Sequence, residues 1–402
     1  MNPTHPTLRA SLRALPRPAW ILFFGTFLNK FGTFVLPYLA IILTRQGYSP
    51  SDAGLAIGAY GVGTLLASAL GGHLADTIGR RKTIALSMFS SAAAMMLLSQ
   101  AHGLPAIVLL TGLAGLAAEL YRPASSALLA DLVPAGQRVV TFSAFRMAFN
   151  AGWAFGPATA GFLAERSLFW LFVGDAVTSA LFGVVAFFAL PGGARSPSTE
   201  CRWTDALKVL GRDGKFQQVL FSAFAVGLVF FQLLSTFGLH VTRLGFSAAT
   251  YGAIISLNGV LVVLCELPLT SITRRFPARR VMAAGYLAVA TGFALNAIAH
   301  TVPGLMVCMV IITFGEMLTM PVSAAYVADL APARMRGRYM GAYSLVWACA
   351  LIVGPGLGMR LLELGPAVLW LTCGAIGLVA AAIILSDAKP ALAKAGLAGE
   401  QI

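Results

Sequence analysis

The sequence predicts an all-α membrane protein with twelve transmembrane helices in two pseudo-symmetric six-helix halves. Three observations predict it: an apolar composition, an alternation of basic flanks along the chain, and an internal repeat. Of 402 residues, 58% are hydrophobic and 11% charged, and the mean hydropathy is +0.81. A soluble domain of this length carries about a quarter of its residues as charges. A spanning helix takes about 20 apolar residues, so twelve of them leave little chain for anything soluble.

The apolar segments run roughly 18–44, 51–75, 82–101, 104–130, 138–164, 167–190, 216–243, 248–272, 280–300, 303–329, 337–361 and 366–386, with ends good to about 2–4 residues. Before the first lies a basic stretch with Arg9, Arg13 and Arg17. The apolar run that follows is too long for a signal peptide, so it reads as helix 1 with a cytoplasmic flank. Residues 191–214 are the longest polar stretch; Pro191, Gly192 and Gly193 end helix 6, and Arg202 to Leu210 suit a short surface helix. The predicted organisation is residues 1–190 as the N-terminal bundle, 191–214 as a cytoplasmic linker and 215–402 as the C-terminal bundle.

With the N-terminus in the cytoplasm, only Arg45, Arg166, Arg243 and Arg360 fall on the outer side, and Lys30, Arg122 and Arg146 fall inside helices. All the other lysines and arginines, of 28 in total, fall on the cytoplasmic side. That bias is the one expected of inner-side loops, and a miscounted helix would scramble it. The net charge of +13 therefore reads as basic flanks meeting an anionic leaflet. No nucleic-acid partner is expected, because the basic residues are dispersed over separate loops.

The halves repeat. Pro123-Ala-Ser-Ser-Ala-Leu-Leu-Ala-Asp131-Leu-Val-Pro134 matches Pro321-Val-Ser-Ala-Ala-Tyr-Val-Ala-Asp329-Leu-Ala-Pro332 at an offset of 198. In the same register Arg138 falls on Arg336, and Gly156-Pro157 on Gly354-Pro355. Repeated halves with a substrate path between them are the plan of many secondary transporters.

The loop between helices 2 and 3 reads Gly72-His-Leu-Ala-Asp76-Thr-Ile-Gly79-Arg80-Arg81-Lys82. Gly72 and Gly79 permit a close approach and a tight turn. Asp76 can pair with Arg80 or a neighbouring helix N-terminus, or the loop can be ordinary capping with inner-side charge. The second-half counterpart keeps Arg274, Arg275, Arg279 and Arg280 but has Arg274 at the acidic position and Pro277 at the glycine. Helix 5 carries Gly152-Trp-Ala-Phe-Gly156-Pro157-Ala-Thr-Ala-Gly161, small residues spaced for close helix packing.

On these motifs the chain resembles the major facilitator superfamily over nearly its whole length. The loop resembles that family's conformational gate, which implies the role for Gly72, Asp76, Gly79, Arg80 and Arg81. The helix 5 stretch resembles its antiporter motif, carried by Gly152, Gly156, Pro157 and Gly161. The drug:proton antiporter branch is the one implied. Its arginine early in helix 4 has no match in Leu109-Leu-Thr111-Gly112-Leu-Ala-Gly115, so that residue's proton-relay role does not carry over. The helix 1 signature of peptide symporters and the sugar-porter loop sequences are missing too.

An ionisable side chain near the bilayer centre costs at least about 2.5–3.5 kcal/mol, so each needs a reason. The candidates are Lys30, Glu119, Arg122, Arg146 and Glu316, with Asp175 and Glu266 nearer helix ends. By helical rise Arg122 and Arg146 lie about 12 Å deep, and Lys30, Glu119 and Glu316 about 17–20 Å. Glu119 and Arg122 are three apart on one helix and can pair. Asn29, Tyr121 and Asn150 add hydrogen-bonding groups. These residues, with Glu266, form the expected substrate and proton pathway, in which Glu119 or Glu316 titrates and the three cations hold an anionic group or act as counter-charges. Glu316 has no basic residue within four positions on its helix, which favours it as the titrating acid. The bland reading is a static ion-pair network that fixes packing.

Phe23, Phe24, Phe27, Phe230, Phe231 and Trp347 can line an apolar cavity or simply pack. Trp20, Trp170 and Trp370 stand at helix starts and read as interface anchors. Cys201, Cys265, Cys308, Cys349 and Cys373 have no metal or disulfide spacing, and no catalytic or nucleotide-binding motif occurs. No enzyme activity, cofactor or metal is expected. The expected activity is alternating-access, proton-coupled multidrug efflux of lipophilic or amphipathic compounds by a monomer in a bacterial inner (cytoplasmic) membrane. Its partners are a small-molecule substrate, protons and the lipid bilayer, and both termini are cytoplasmic. The alternatives are a facilitator or proton symporter for a small organic anion, and a sensor that does not transport.

Overall fold

The computed structural model of the chain describes residues 12–134, 138–192, 213–273, 275–331 and 336–386. All regular structure among them is helical. The first part holds α1 (Arg17–Phe31), α2 (Val35–Arg45), α3 (Pro50–Thr77), α4 (Arg80–Ser99), α5 (Leu104–Glu119), α6 (Tyr121–Leu132), α7 (Arg138–Arg166) and α8 (Phe169–Ala189). The second holds α9 (Gly214–Phe230), a 3-10 turn (Phe231–Leu234), α10 (Thr236–Arg243), α11 (Ala248–Thr273), α12 (Ala278–Leu295), α13 (Val302–Leu330), α14 (Arg336–Leu364) and α15 (Pro366–Leu385).

Local chemistry sets the helix starts. Ser49 and Asp52 form a reciprocal capping box ahead of α3, and Pro50 opens that helix, where a missing N–H costs nothing. Thr301 accepts from the Gly304 amide at the start of α13, and Asp213 from the Phe216 amide at the start of α9. Gly79, at φ 93°, makes the turn between α3 and α4, a conformation that excludes most side chains.

Three segments that the sequence presents as single helices are broken. Helix 1 stops at Phe31 and resumes at Val35. Pro37 has no N–H for the carbonyl of Thr33, so the ladder lapses there. Helix 4 breaks at Leu120, where Pro123 likewise leaves the Glu119 carbonyl without its helical donor. Helix 7 breaks at Phe231–Ser235, close to where the repeat offset puts the helix 1 break. There buried Gln232 donates to the carbonyls of Leu228 (2.7 Å) and Gly354 (2.9 Å). It also accepts from Ser235 and Thr236.

Taking the broken pieces together, ten stretches among the described residues are long and apolar enough to cross a membrane. The two remaining segments of the sequence reading are helical as α7 and α12. The chain is a multi-pass membrane protein. Trp20 and Trp170 are about half exposed. Trp370 is a correction: it is fully buried, edge-on to Phe237 and His240 and tilted against Phe293. Its position at a helix start resembles that of an anchor, but apolar neighbours claim the ring.

The chain forms two compact units, Met1–Ser198 with Val241–Val263, and Thr199–His240 with Leu264–Ile402. The core of the first includes Leu22, Phe23, Met88, Tyr121, Leu128 and Phe182. That of the second includes Phe216, Val219, Met282, Tyr286, Tyr339 and Ile384. Within the first unit, the segment Val241–Val263 is fastened by hydroxyls. Tyr38 stands edge-on to Tyr251 at 5.1 Å. The Tyr38 hydroxyl lies 2.9 Å from the Pro157 carbonyl and 3.0 Å from that of Ala248. Tyr251 donates to the Pro37 carbonyl (2.9 Å) and the Ala158 amide donates to Ser256 (2.9 Å).

The glycines of α7 allow this closeness. A Cβ on Gly156 would stand 2.6 Å from the Phe31 carbonyl, and one on Gly161 2.7 Å from Ala249 Cα. Gly156→Ala should therefore lower the thermal unfolding midpoint of the purified protein in detergent, by an overpacking cost of about 1–3 kcal/mol. Gly341→Ala, which meets nothing within 4 Å, should leave the midpoint unchanged or raise it. Equal midpoints for the two variants would refute the packing argument.

Candidate functional site

Three charges meet in the first unit at the ends of broken helices. Lys30 is the next-to-last residue of α1, and Glu119 is the last of α5. Lys30 Nζ lies 2.8 Å from Glu119 Oε1, and Arg122 Nη1 lies 3.2 Å from Glu119 Oε2. The Lys30 side chain is 5% exposed and that of Glu119 10%, whereas that of Arg122 is 54% exposed. The carboxylate is thus held between one buried cation and one open one, and the cluster carries a net positive charge.

Aromatic faces complete the setting. Phe149 of α7 presents its ring to Lys30 Nζ at 5.1 Å and to the Arg122 guanidinium at 5.3 Å. The Tyr121 ring lies 5.7 Å from Lys30 Nζ. Such faces attract cations electrostatically. The Tyr121 hydroxyl is buried with no hydrogen-bond partner among the described residues. Gly152 brings the wall to the charge, since a Cβ there would stand 2.7 Å from Lys30 Cβ and from the Phe27 carbonyl. The helix 5 motif therefore packs α7 against α1 at the ion pair itself.

Of the other sequence candidates, Asn29 is buried, with its amide nitrogen 3.6 Å from Met88 Sδ. Asn150 is half-buried and Arg146 exposed, both on α7. Glu316 and Glu266 are half-buried residues of the second unit. The cluster therefore brings together Lys30, Glu119, Tyr121 and Arg122. Phe149 is its addition: an aromatic within reach of both cations that no local pattern marks.

In the helix 2–3 loop, Arg80 is buried, ion-pairs with Asp131 and donates to the Ala127 carbonyl at 2.9 Å. Arg81 lies over the Phe187 ring at 5.8 Å. Gly72 is half-buried, and the side chain of Asp76 lies outside the described residues. Asp131, which marks the repeat in the sequence, is thus the visible partner of the loop's arginine. In the second half Arg274 lies outside the described residues, while Arg279 donates to the carbonyls of Ile384 (2.9 Å) and Ser386.

Cys265, Cys308, Cys349 and Cys373 are free thiols, and Cys201 lies outside the described residues. Among the described residues no group of histidine, cysteine or acidic side chains could hold a metal ion.

Solved structures share this fold. A nucleoside transporter, NupG, superposes with a TM-score of 0.82 at 14% identity, over 92% of this chain and 99% of that one. A transporter of the POT family in complex with a thioalcohol-conjugated peptide gives 0.77 at 16% identity, over 93% and 98%. At such identities the likeness speaks for the fold alone. Among curated relatives, the uncharacterized MFS-type transporter YqjV of Bacillus subtilis is 28% identical over 351 residues, 85% of each chain. A Na(+), Li(+), K(+)/H(+) antiporter of Planococcus maritimus is 23% identical over 82% of this chain and 85% of that one. The quinolone resistance protein NorA of Staphylococcus aureus is 29% identical over 149 residues, 37% of this chain and 38% of its own. The sequence profile of the Major Facilitator Superfamily matches residues 22–264 and 219–401, and the chain belongs to that family.

Proposed function

We propose that this protein is a secondary active transporter that exports small lipophilic or amphipathic organic compounds in exchange for protons. Its setting is the inner membrane of a bacterium, with twelve spans and both termini in the cytoplasm. Residues 1–190 and 215–402 act as the two rocking bundles of a monomer, joined by the linker 191–214. The observation that carries the reading is the Lys30–Glu119–Arg122 cluster. In it a buried ion pair is joined to a second cation, Arg122, whose side chain is 54% exposed beside the Phe149 ring. An amphipathic solute needs that combination of an apolar face and a reachable charge. The relatives support the direction: NorA is a quinolone resistance protein, and the Planococcus maritimus protein exchanges cations for protons.

Glu119, gripped by two cations, serves as the counter-charge that keeps Lys30 and Arg122 in place. Glu316 carries the transported proton, and Glu266, Asn29, Arg146 and Asn150 line the route. Gly72, Asp76, Gly79, Arg80 and Arg81 gate it, with Asp131 as the seat of Arg80. A second reading, transport of a small organic anion, is favoured by the cluster's net positive charge. A panel of labelled lipophilic cations and organic anions in proteoliposomes under an imposed pH gradient separates the two.

Two outcomes follow for such proteoliposomes. Breaking a buried pair from one side costs about 3–5 kcal/mol, so Lys30→Ala should lose both stability and transport. The double variant Lys30→Met with Glu119→Met should regain most of the stability and none of the transport; recovery of transport would make the pair purely structural. Glu316→Gln should still exchange substrate across the membrane but no longer accumulate it in response to a pH gradient. Undiminished coupling in that variant would remove Glu316 from the mechanism.

A further inference from the structure

A second carboxylate is buried in the first unit and takes no part in the cluster. Asp175 of α8 is 5% exposed. It lies six residues along from Phe169, about 9 Å into the helix by its rise. Its Oδ2 accepts from the Val35 amide at 3.4 Å. That amide is the first of α2, the outer piece of broken helix 1, and the residue before it, Phe34, supplies no side-chain cap. The contact is close on both sides: a Cβ on Gly174 would stand 2.7 Å from the Phe34 ring.

The groups that could offset a charge on Asp175 stand on the elements around it. On α1 the group is Lys30, whose ammonium is held by Glu119. On α3 it is the buried phenol of Tyr60. The charge of α2 is Arg45, at its far end. Those of α4 are Arg80, Arg81 and Lys82, and Arg81 lies against Phe187 at the opposite end of α8. On α7, Glu165 and Arg166 are exposed at the outer end, and Arg146 is exposed well inward of Gly156. Among the described residues Asp175 forms no salt bridge. The repeat register sets Cys373 opposite it, a small, buried, uncharged group. A carboxylate is therefore not what this place in the fold requires.

We propose that Asp175 is a proton-binding site, distinct from the Lys30–Glu119–Arg122 cluster, and that its protonation loosens the cap on α2. An ionised carboxylate strengthens its bond to a helix N-terminus by charge as well as by geometry. A proton on Asp175 cancels the charge, and the Val35 amide keeps at most a weak neutral acceptor. The proton thus binds better to the uncapped arrangement, and by linkage it favours that arrangement. The lever is short. Pro37 and Tyr38, two and three residues beyond Val35, carry the bonds to Tyr251, Pro157 and Ala248. In the proposed topology Asp175 lies in the outer third of the membrane, on the side from which protons enter. Its use in transport rests on the proton-coupled reading, but the proton-sensitive cap stands without it.

The test is amide hydrogen exchange of the full-length protein in lipid nanodiscs at about pH 8 and about pH 5, corrected for intrinsic exchange. In the wild type, protection across residues 35–39 should fall about two- to fivefold on acidification, the loss of the charge–dipole contribution, while the middle of α3 stays unchanged. Asp175→Asn should show no pH dependence at these residues, and Asp175→Glu should keep it. If the wild type shows no pH effect at residues 35–39, or if Asp175→Asn retains it, the proposal fails. Should the Asn variant not fold, the wild-type comparison of α2 with α3 still decides. In proteoliposomes Asp175→Asn should also lose accumulation driven by a pH gradient. Absence of such accumulation in the wild type would overturn the transport reading and leave the exchange result to judge Asp175.

Discussion

No water is available in a hydrocarbon layer to pair with a stranded amide or carbonyl, and this constraint orders the whole structure. It makes every described element a helix. It also makes each interruption of a helix a place where some other group must step in. Helix 1 lapses before Pro37, and Asp175 supplies an acceptor for the Val35 amide. Helix 7 lapses near Ser235, and Gln232 serves the Leu228 and Gly354 carbonyls. Helix 4 lapses before Pro123, and the residue at its broken end is Glu119. At each of these three breaks a buried polar side chain, Asp175, Gln232 or Glu119, stands where the backbone has been released from its own ladder.

The ion pair at this junction is not a source of stability by itself. Removing a carboxylate and an ammonium from water costs several kcal/mol per ion, and their attraction only offsets it. The same carboxylate also meets a second cation, Arg122, and the ring of Phe149 lies within reach of both cations. Gly152 and Gly156 let α7 reach α1 closely enough for that ring to arrive. The glycine motif and the charge cluster, separate in sequence, are one construction. Without the first, the second would lose its wall.

Much of the fold is legible in the sequence because apolarity and basic flanks are local signals. The helix breaks are less so. Hydropathy averaged over twenty residues does not register three non-helical ones, although Pro37 and Pro123 stand in plain view. Local spacing suffices for the Glu119–Arg122 pair, three residues apart on one turn. Nothing local links Lys30 to Glu119, 89 positions away, or Arg80 to Asp131. Trp370 shows the converse: its place at a helix start is local information, and its burial is decided by Phe237, His240 and Phe293 from other helices.

The two halves, alike in sequence, are unlike in polarity. The positions of Lys30, Glu119 and Arg122 correspond in the repeat register to Leu228, Met317 and Met320. The second unit meets its own helix break with a neutral amide, Gln232, instead of charge. One further detail concerns Tyr38. Its phenol carries a single hydrogen but lies near two carbonyl oxygens, those of Pro157 and Ala248. Both oxygens belong to helices, α7 and α11, whose own ladders already use them, so neither is stranded when the phenol turns to the other. Parting α2 from these two neighbours therefore gives up one hydroxyl bond, not two. The bond from Tyr251 to the Pro37 carbonyl is the second, separate tie on the same helix.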